Sequence, residues 1–147
     1  MAVQLKNSRS GFTLIELMIV IMIIGILGGI LVPAVNNALK KAKAGTAKTL
    51  LMKFKSGIAE YRGDTNQYPT TLKDLLKRPK SGDEKVTKKW NGPYGFEEGT
   101  EDVPEDPWGE KFHYKVTAPP AKHPYELYSH GPNGKGSPKE ERIDVWD

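Results

Sequence analysis

The chain has 147 residues, with Lys+Arg 22 against Asp+Glu 18 for a formal charge of +4, and no cysteine. That length holds one cored domain but not comfortably two, and the lack of cysteine excludes a disulfide framework, a thiolate metal site and a cysteine nucleophile. Hydrophobic residues are unevenly divided: they make up 18 of the 24 residues from Phe12 to Val35 but only 33 of 112 from Asn36 to Asp147, so one end suits lipid and the rest is a thinly cored polar head.

The first eleven residues, MAVQLKNSRSG, are polar and carry Lys6 and Arg9, whereas Leu17 to Val32 contains no polar side chain. As a helix, residues 12–35 would span about 36 Å at roughly 1.5 Å per residue, enough for a hydrocarbon core of about 30 Å. A secretory signal peptide cut near Val32-Pro33-Ala34 is the alternative. The length of the run and the acid Glu16 in its first turn disfavour that alternative. The count of flanking bases points the other way from an exported head, because Lys40, Lys41, Lys43, Lys48, Lys53 and Lys55 outnumber Lys6 and Arg9. The junction motif has to settle orientation.

Glu16 is unusual in its own right, since an acid at the centre of a membrane helix costs roughly 2.5 to 3.5 kcal/mol. It lies only about 6 Å along the helix from Phe12, so in a lone chain it can snorkel to the headgroups. Among packed helices it needs a positive partner. Gly25 and Gly29 form a GxxxG pair suited to close helix approach, and with Gly28 and Pro33 they make the second half of the anchor the easiest part to unwind. Ordinary tolerance of glycine and proline in membrane helices explains those residues equally well.

Beyond Pro33, Leu39, Ala47, Leu50, Leu51, Phe54, Ile58 and Tyr61 recur at helical spacing with lysines on the remainder, which predicts an amphipathic helix over 36–62 stopped by Gly63-Asp64. Joined to the anchor, this is one helix of about 50 residues, near 75 Å. Asn66-Gln67-Tyr68-Pro69 reads as a turn and Thr71/Asp74 as the capping box of a short helix, with residues 77–93 as loop. The C-terminal region, 94–147, alternates at Lys111–Val116 and Tyr125–Ser129 and again at Ile143–Trp146, which predicts three small antiparallel strands. The expected class is α+β: a long N-terminal helix against a small antiparallel sheet. Of 13 aromatic residues, 12 lie from Phe54 onward, as a compact head short of aliphatics requires.

No catalytic constellation emerges. His113, His123 and His130 form no helical ligand pair, Gly134-Lys135 lacks the rest of a phosphate loop, and Ser129 has no nucleophile-elbow context. The charge map is more informative. Residues 36–62 hold seven bases and one acid, residues 63–147 thirteen bases and sixteen acids, and Glu97 to Glu110 contains seven acids and no base. Neighbouring copies could register basic stem against acidic loop; two solvated faces would look the same, since exposed pairs contribute only about 0 to 1 kcal/mol each.

The junction Gly11-Phe12-Thr13-Leu14-Ile15-Glu16, between a basic leader and an apolar run, resembles the prepilin signature of type IV pilins and type II secretion pseudopilins. The resemblance implies a leader of residues 1–11, cleavage between Gly11 and Phe12 by a membrane peptidase, N-methylation of Phe12, an assembly role for Glu16, and a transmembrane helix over 12–35. It also implies that residues 36–147 face the periplasm from a single-pass anchor in the inner membrane. The ordered series Gly92-Pro93-Tyr94, Asp106-Pro107-Trp108-Gly109, Tyr125-Glu126-Leu127-Tyr128-Ser129-His130-Gly131-Pro132-Asn133-Gly134 and a final Ile143-x-x-Trp146 resembles the general secretion pathway protein G family, the major pseudopilins. Type IV pilins usually close this region with a disulfide, which this chain cannot form.

What the family resemblance implies is a structural filament subunit that drives export of folded proteins through the outer membrane. Its partners would be copies of itself, the prepilin peptidase and methyltransferase, minor pseudopilins, the inner-membrane platform and lipid. A type IV pilin or a DNA-uptake pseudopilin is the alternative, although the acidic head argues against nucleic acid. The one cofactor the resemblance brings up is calcium, which in the resembling family sits in the loop between the final strands. The candidate ligands here are His130, Asn133, Glu140 and Glu141. Asn133 stands where the pattern has an aspartate, and Arg142, with Lys135 and Lys139 nearby, brings positive charge where a divalent ion wants carboxylates. Weak or no calcium binding is expected, with hydrogen bonds or an Arg142 ion pair holding the loop.

Overall fold

Helix α1, Leu14–Thr65, runs for 52 residues. The computed structural model describes residues 11–80 and 83–147; residues 1–10 of the expected leader lie outside the described residues. The chain divides into two units, one up to Leu39 and one from Lys40 to Asp147. In the first, α1 stays helical through Gly25, Gly28, Gly29 and Pro33, and its apolar side chains are exposed all round.

In the second unit the same helix becomes one-sided. Ala47, Leu51, Phe54, Ile58 and Tyr61 are buried along one stripe, the spacing of three and four that puts side chains on a single face. The helix runs past the expected stop at Gly63-Asp64 because one tertiary and one intrahelical side-chain contact hold its last turn. Tyr94 Oη donates to Asp64 Oδ2 at 2.9 Å, and the buried Thr65 donates from Oγ1 to the Tyr61 carbonyl at 2.7 Å. Asn66, with φ of 60°, then supplies the left-handed residue that ends it, a conformation asparagine tolerates better than most.

A single 3-10 turn follows at Leu72–Leu75, started where Thr71 N donates to Asp74 Oδ2 at 2.8 Å. The segment read as loop over 77–93 contains a second helix, α2 (Glu84–Lys89). Asp83 caps it by accepting from Lys85 N at 2.9 Å, Glu84 and Lys88 pair at 2.8 Å, and Val86 anchors it in the core. Strands β1 (His113–Val116), β2 (Tyr125–Ser129) and β3 (Ile143–Asp144) form an antiparallel sheet in that order, with His113 opposite Tyr128 and Ser129 opposite Ile143. The last strand is shorter than the expected 143–146: Val145 N still donates to the Leu127 carbonyl at 3.1 Å, and the chain then turns where Trp146 N donates to Asp144 Oδ1 at 3.0 Å.

The core lies between the α1 stripe and the inward residues of the sheet and loops: Leu72, Leu75, Tyr94, Phe112, Tyr125, Leu127 and Val145. Phe54 meets Phe96 and Phe112 at ring-centroid distances of 5.0 and 5.2 Å, and Tyr61 meets the edge of Tyr94 at 5.5 Å, each pair adding about 0.5 to 1.5 kcal/mol beyond its burial. Two glycines let this layer close. A Cβ on Gly57 would stand 2.6 Å from the Tyr94 carbonyl oxygen, and one on Gly95, where φ is +72°, would stand 2.7 Å from the Lys53 carbonyl oxygen.

Gly57→Ala should therefore destabilise the second unit by about 1 to 3 kcal/mol through overpacking, read as a lower melting temperature of the detergent-solubilised chain. Gly45→Ala, whose Cβ would meet nothing within 4 Å, should be neutral or stabilise by up to about 1 kcal/mol through helix propensity. Equal melting of the Gly57→Ala and wild-type chains would contradict the backbone contact.

Candidate functional site

Gly11 and Phe12 precede the first turn of α1 and are exposed, Phe12 to 91%. Thr13 and Glu16 form a capping box at the start of the helix. Glu16 Oε2 accepts from Thr13 N at 2.8 Å and from Thr13 Oγ1 at 2.9 Å, while Glu16 N approaches Thr13 Oγ1 at 3.3 Å. These contacts use helix-start donors that would otherwise lack partners. The sequence carried this signal as Thr-x-x-Glu directly ahead of an apolar run, and the reading of Glu16 as an assembly residue passed over it. Glu16 thus has an intrachain role in addition to the one expected of it. The helix behind it contains an 18-residue window of mean hydropathy 2.8 with none of it buried, long and apolar enough to cross a membrane.

The C-terminal loop is tied by side chains. Asn133 Nδ2 donates to Glu141 Oε2 at 2.6 Å, Ser137 Oγ donates to the Gly134 carbonyl at 2.7 Å, and Arg142 Nε donates to the Ser137 carbonyl at 3.1 Å. The Arg142 guanidinium lies 4.8 Å from the Tyr128 ring centroid. The expected alternatives for this loop are thereby separated: hydrogen bonds hold it, and among the described residues Arg142 has no carboxylate partner. Gly131, with φ of +74°, lies so close to the next strand's approach that a Cβ there would stand 2.5 Å from the Glu141 carbonyl oxygen.

These contacts do not fit calcium. A carboxylate can only accept, so Asn133 presents its nitrogen to Glu141 and turns its oxygen away. Among the described residues no three His, Asp or Glu side chains come together to hold a metal, so His130, Glu140 and Glu141 do not form a ligand set. His130 instead packs against Tyr128 and His113 at 5.3 and 6.4 Å, with its Nδ1 buried and unpartnered. Burial, followed by the nearby Arg142 charge, pushes His130 below the ordinary imidazole value.

Sequence reasoning missed one connection. Asp106 is buried; its Oδ1 accepts from Trp108 N at 3.0 Å and Glu110 N at 2.9 Å, and its Oδ2 accepts from Ser129 Oγ at 2.5 Å. Ser129 Oγ in turn accepts from Gly131 N at 3.0 Å. The base of the acidic loop is thereby fixed to the end of β2 and the start of the C-terminal loop. The signal lay in the Asp-Pro-Trp-Gly turn, but its partner is 23 residues away.

Comparison with known proteins agrees with this architecture. A family model described as Type II secretion system (T2SS), protein G matches residues 34–147, and one described as Prokaryotic N-terminal methylation motif matches residues 6–32. The type II secretion system core protein G of Pseudomonas aeruginosa is 37% identical over 147 residues, covering 97% of this chain and 98% of that protein. The protein of the same description from Escherichia coli K12 is 32% identical over 133 residues, covering 88% and 86%. The crystal structure of the major pseudopilin from the type 2 secretion system of enterohaemorrhagic Escherichia coli superposes with a TM-score of 0.58 at 25% identity, over 75% of this chain and 87% of that one. The chain belongs to the type II secretion system protein G family, and its fold is type IV pilin-like.

Two outcomes follow for the C-terminal loop. Because His130 titrates lower when folded than unfolded, the unfolded chain binds more protons as pH falls; the stability this site contributes is present above about pH 6.5 and is lost as pH drops through the folded value. Denaturant titrations between pH 7.5 and 5 should show that loss, and His130→Gln should flatten it; an unchanged slope in the variant would refute the assignment. Thermal melts in calcium and in chelator should coincide, whereas a calcium-dependent rise abolished by Glu141→Ala would restore the family's metal site.

Proposed function

We propose that this chain is the major structural subunit of a type II secretion pseudopilus. A prepilin peptidase cuts it between Gly11 and Phe12 and methylates the new Phe12 amine. The helix over 12–35 anchors it in the inner membrane as a single pass with residues 36–147 in the periplasm. Copies then polymerise, with minor pseudopilins and the inner-membrane platform, into a filament that drives folded proteins through the outer membrane. Its role is structural, with no catalytic residue of its own.

The observation that carries this reading is the union in one chain of a methylation motif over 6–32 and a protein G region over 34–147, joined by an apolar helix exposed on every side. Such a surface is stable only in lipid or against other apolar helices. A pool in the membrane and a bundle of packed helices are the two states that satisfy it, and assembly is transfer from one to the other. Glu16 fits both. In the lone chain its carboxylate is satisfied by Thr13, and among packed helices the free Phe12 amine of a neighbouring copy is the natural positive partner.

The intact mass of membrane-purified protein should correspond to residues 12–147 with one added methyl group. A mature start near Val35 would make the apolar run a signal peptide and end the filament reading. Glu16→Ala should remain processed and membrane-resident, since losing a charge eases insertion, yet should reduce secretion to background; wild-type secretion by that strain would contradict the assembly role.

A further inference from the structure

Seven bases line α1 between Lys40 and Arg62, and the second unit occupies four of them. Lys48 Nζ donates to the Asp147 carbonyl at 3.3 Å, Lys53 lies 5.5 Å from the Phe96 ring centroid, Lys55 lies 4.2 Å from that of Trp146, and Arg62 donates to Tyr68 Oη at 2.5 Å. Lys40, Lys41 and Lys43 are exposed and have no hydrogen-bond or ion-pair partner among the described residues. Counting back by three and four from Ala47 places Lys43 and Lys40 on the very stripe that Ala47, Leu51, Phe54 and Ile58 bury. The helix face that is apolar and covered from Ala47 onward is therefore cationic and uncovered just before it.

The acids sort in the same way. Asp106 is consumed by its three donors, while Glu97, Glu98, Glu101, Asp102 and Glu105 are exposed with no side-chain partner among the described residues. We infer that the uncovered face at Lys40 and Lys43 receives the Glu97–Glu105 loop of a second copy of this chain, an inference that rests on the reading of the chain as a filament subunit. Two different patches on one molecule make a heterologous contact, which adds copies in one direction and propagates a filament when the rotation between copies does not close a ring. Lysines enclosed between packed copies without counter-charge would be costly, and the loop is where this chain keeps its unpaired carboxylates together. Anionic lipid headgroups are the competing occupant of a basic segment beside an anchor, and the loop is favoured because the lysines continue the stripe that already faces the head.

The test uses the full processed chain in membranes, with filaments counted by electron microscopy at low salt. Lys40→Glu with Lys43→Glu should lower assembly about tenfold, a factor two exposed ion pairs can supply, and Glu101→Lys with Asp102→Lys should do the same. All four changes together should restore assembly to within about twofold, because the pairs are re-formed with reversed sign. Wild-type assembly by either reversed pair overturns the inference, and so does a fourfold variant no better than its worse parent, the result that lipid headgroups as the occupant would give. A second arm does not depend on charge reversal. The chain has no cysteine, so Ala44→Cys combined with Thr100→Cys should give a ladder of disulfide-linked copies on oxidation. Normal filaments without that ladder overturn the inference and leave the filament reading intact, whereas a processed wild-type chain that never forms filaments overturns both.

Discussion

In the second unit α1 meets the layer that covers it backbone to backbone: the Tyr94 carbonyl occupies the space a side chain on residue 57 would need, and Gly95 reciprocates against the Lys53 carbonyl. The rest of the head follows from that contact. With 33 hydrophobic residues in 112, the head cannot fill a wide gap between helix and sheet, and the close approach brings Tyr94, Phe96 and Phe112 directly onto Phe54 and Tyr61. Large rings at short range replace the aliphatic layer this composition lacks. The β2 residues Tyr125, Leu127 and Ser129 then face inward by simple alternation.

One helix thus meets two kinds of surroundings. From Leu17 through Val35 it is apolar on every side, the pattern of a span in lipid or in a helical bundle; from Ala47 it is apolar on one side only, the pattern of a helix against a small core. Glu16 is the apparent exception in the first part. Its capping contacts with Thr13 show how an acid can stand at the head of an apolar helix, since the carboxylate satisfies a backbone donor and a hydroxyl that would otherwise be left unpaired.

Elements governed by local pattern were legible in the sequence: the α1 stripe, the alternation of β2 and the short turn after Thr71. Those governed by distant partners were not. The end of α1 depends on Asp64 reaching Tyr94, 30 residues on, so the Gly63-Asp64 pair read as a stop where the structure continues. The α2 helix lies in a stretch of Lys, Gly and Pro that looks like loop by composition, and its start is decided by the single Asp83 cap and its hold on the core by Val86. In the C-terminal loop the residue types show a surplus of positive charge, but only geometry shows which hydrogen bonds hold the loop.

That loop illustrates how a covalently fixed cation changes the problem a metal would solve. Between Asn133 and Arg142 there are three bases and two acids, so an external divalent ion would have to displace existing positive charge before gathering oxygens. Arg142 brings its charge on the chain, spreads it over the Tyr128 face and gives Nε to the Ser137 carbonyl, while Asn133 donates directly to the Glu141 carboxylate. The loop is also bonded through Gly131 and Ser129 to Asp106. Asp106 simultaneously fixes the backbone of Trp108 and Glu110 at the base of the acidic loop. One buried carboxylate therefore sets the geometry of two loops, and the carboxylates between Glu97 and Glu105 are left outside that network, held in place at one end and free to meet another surface.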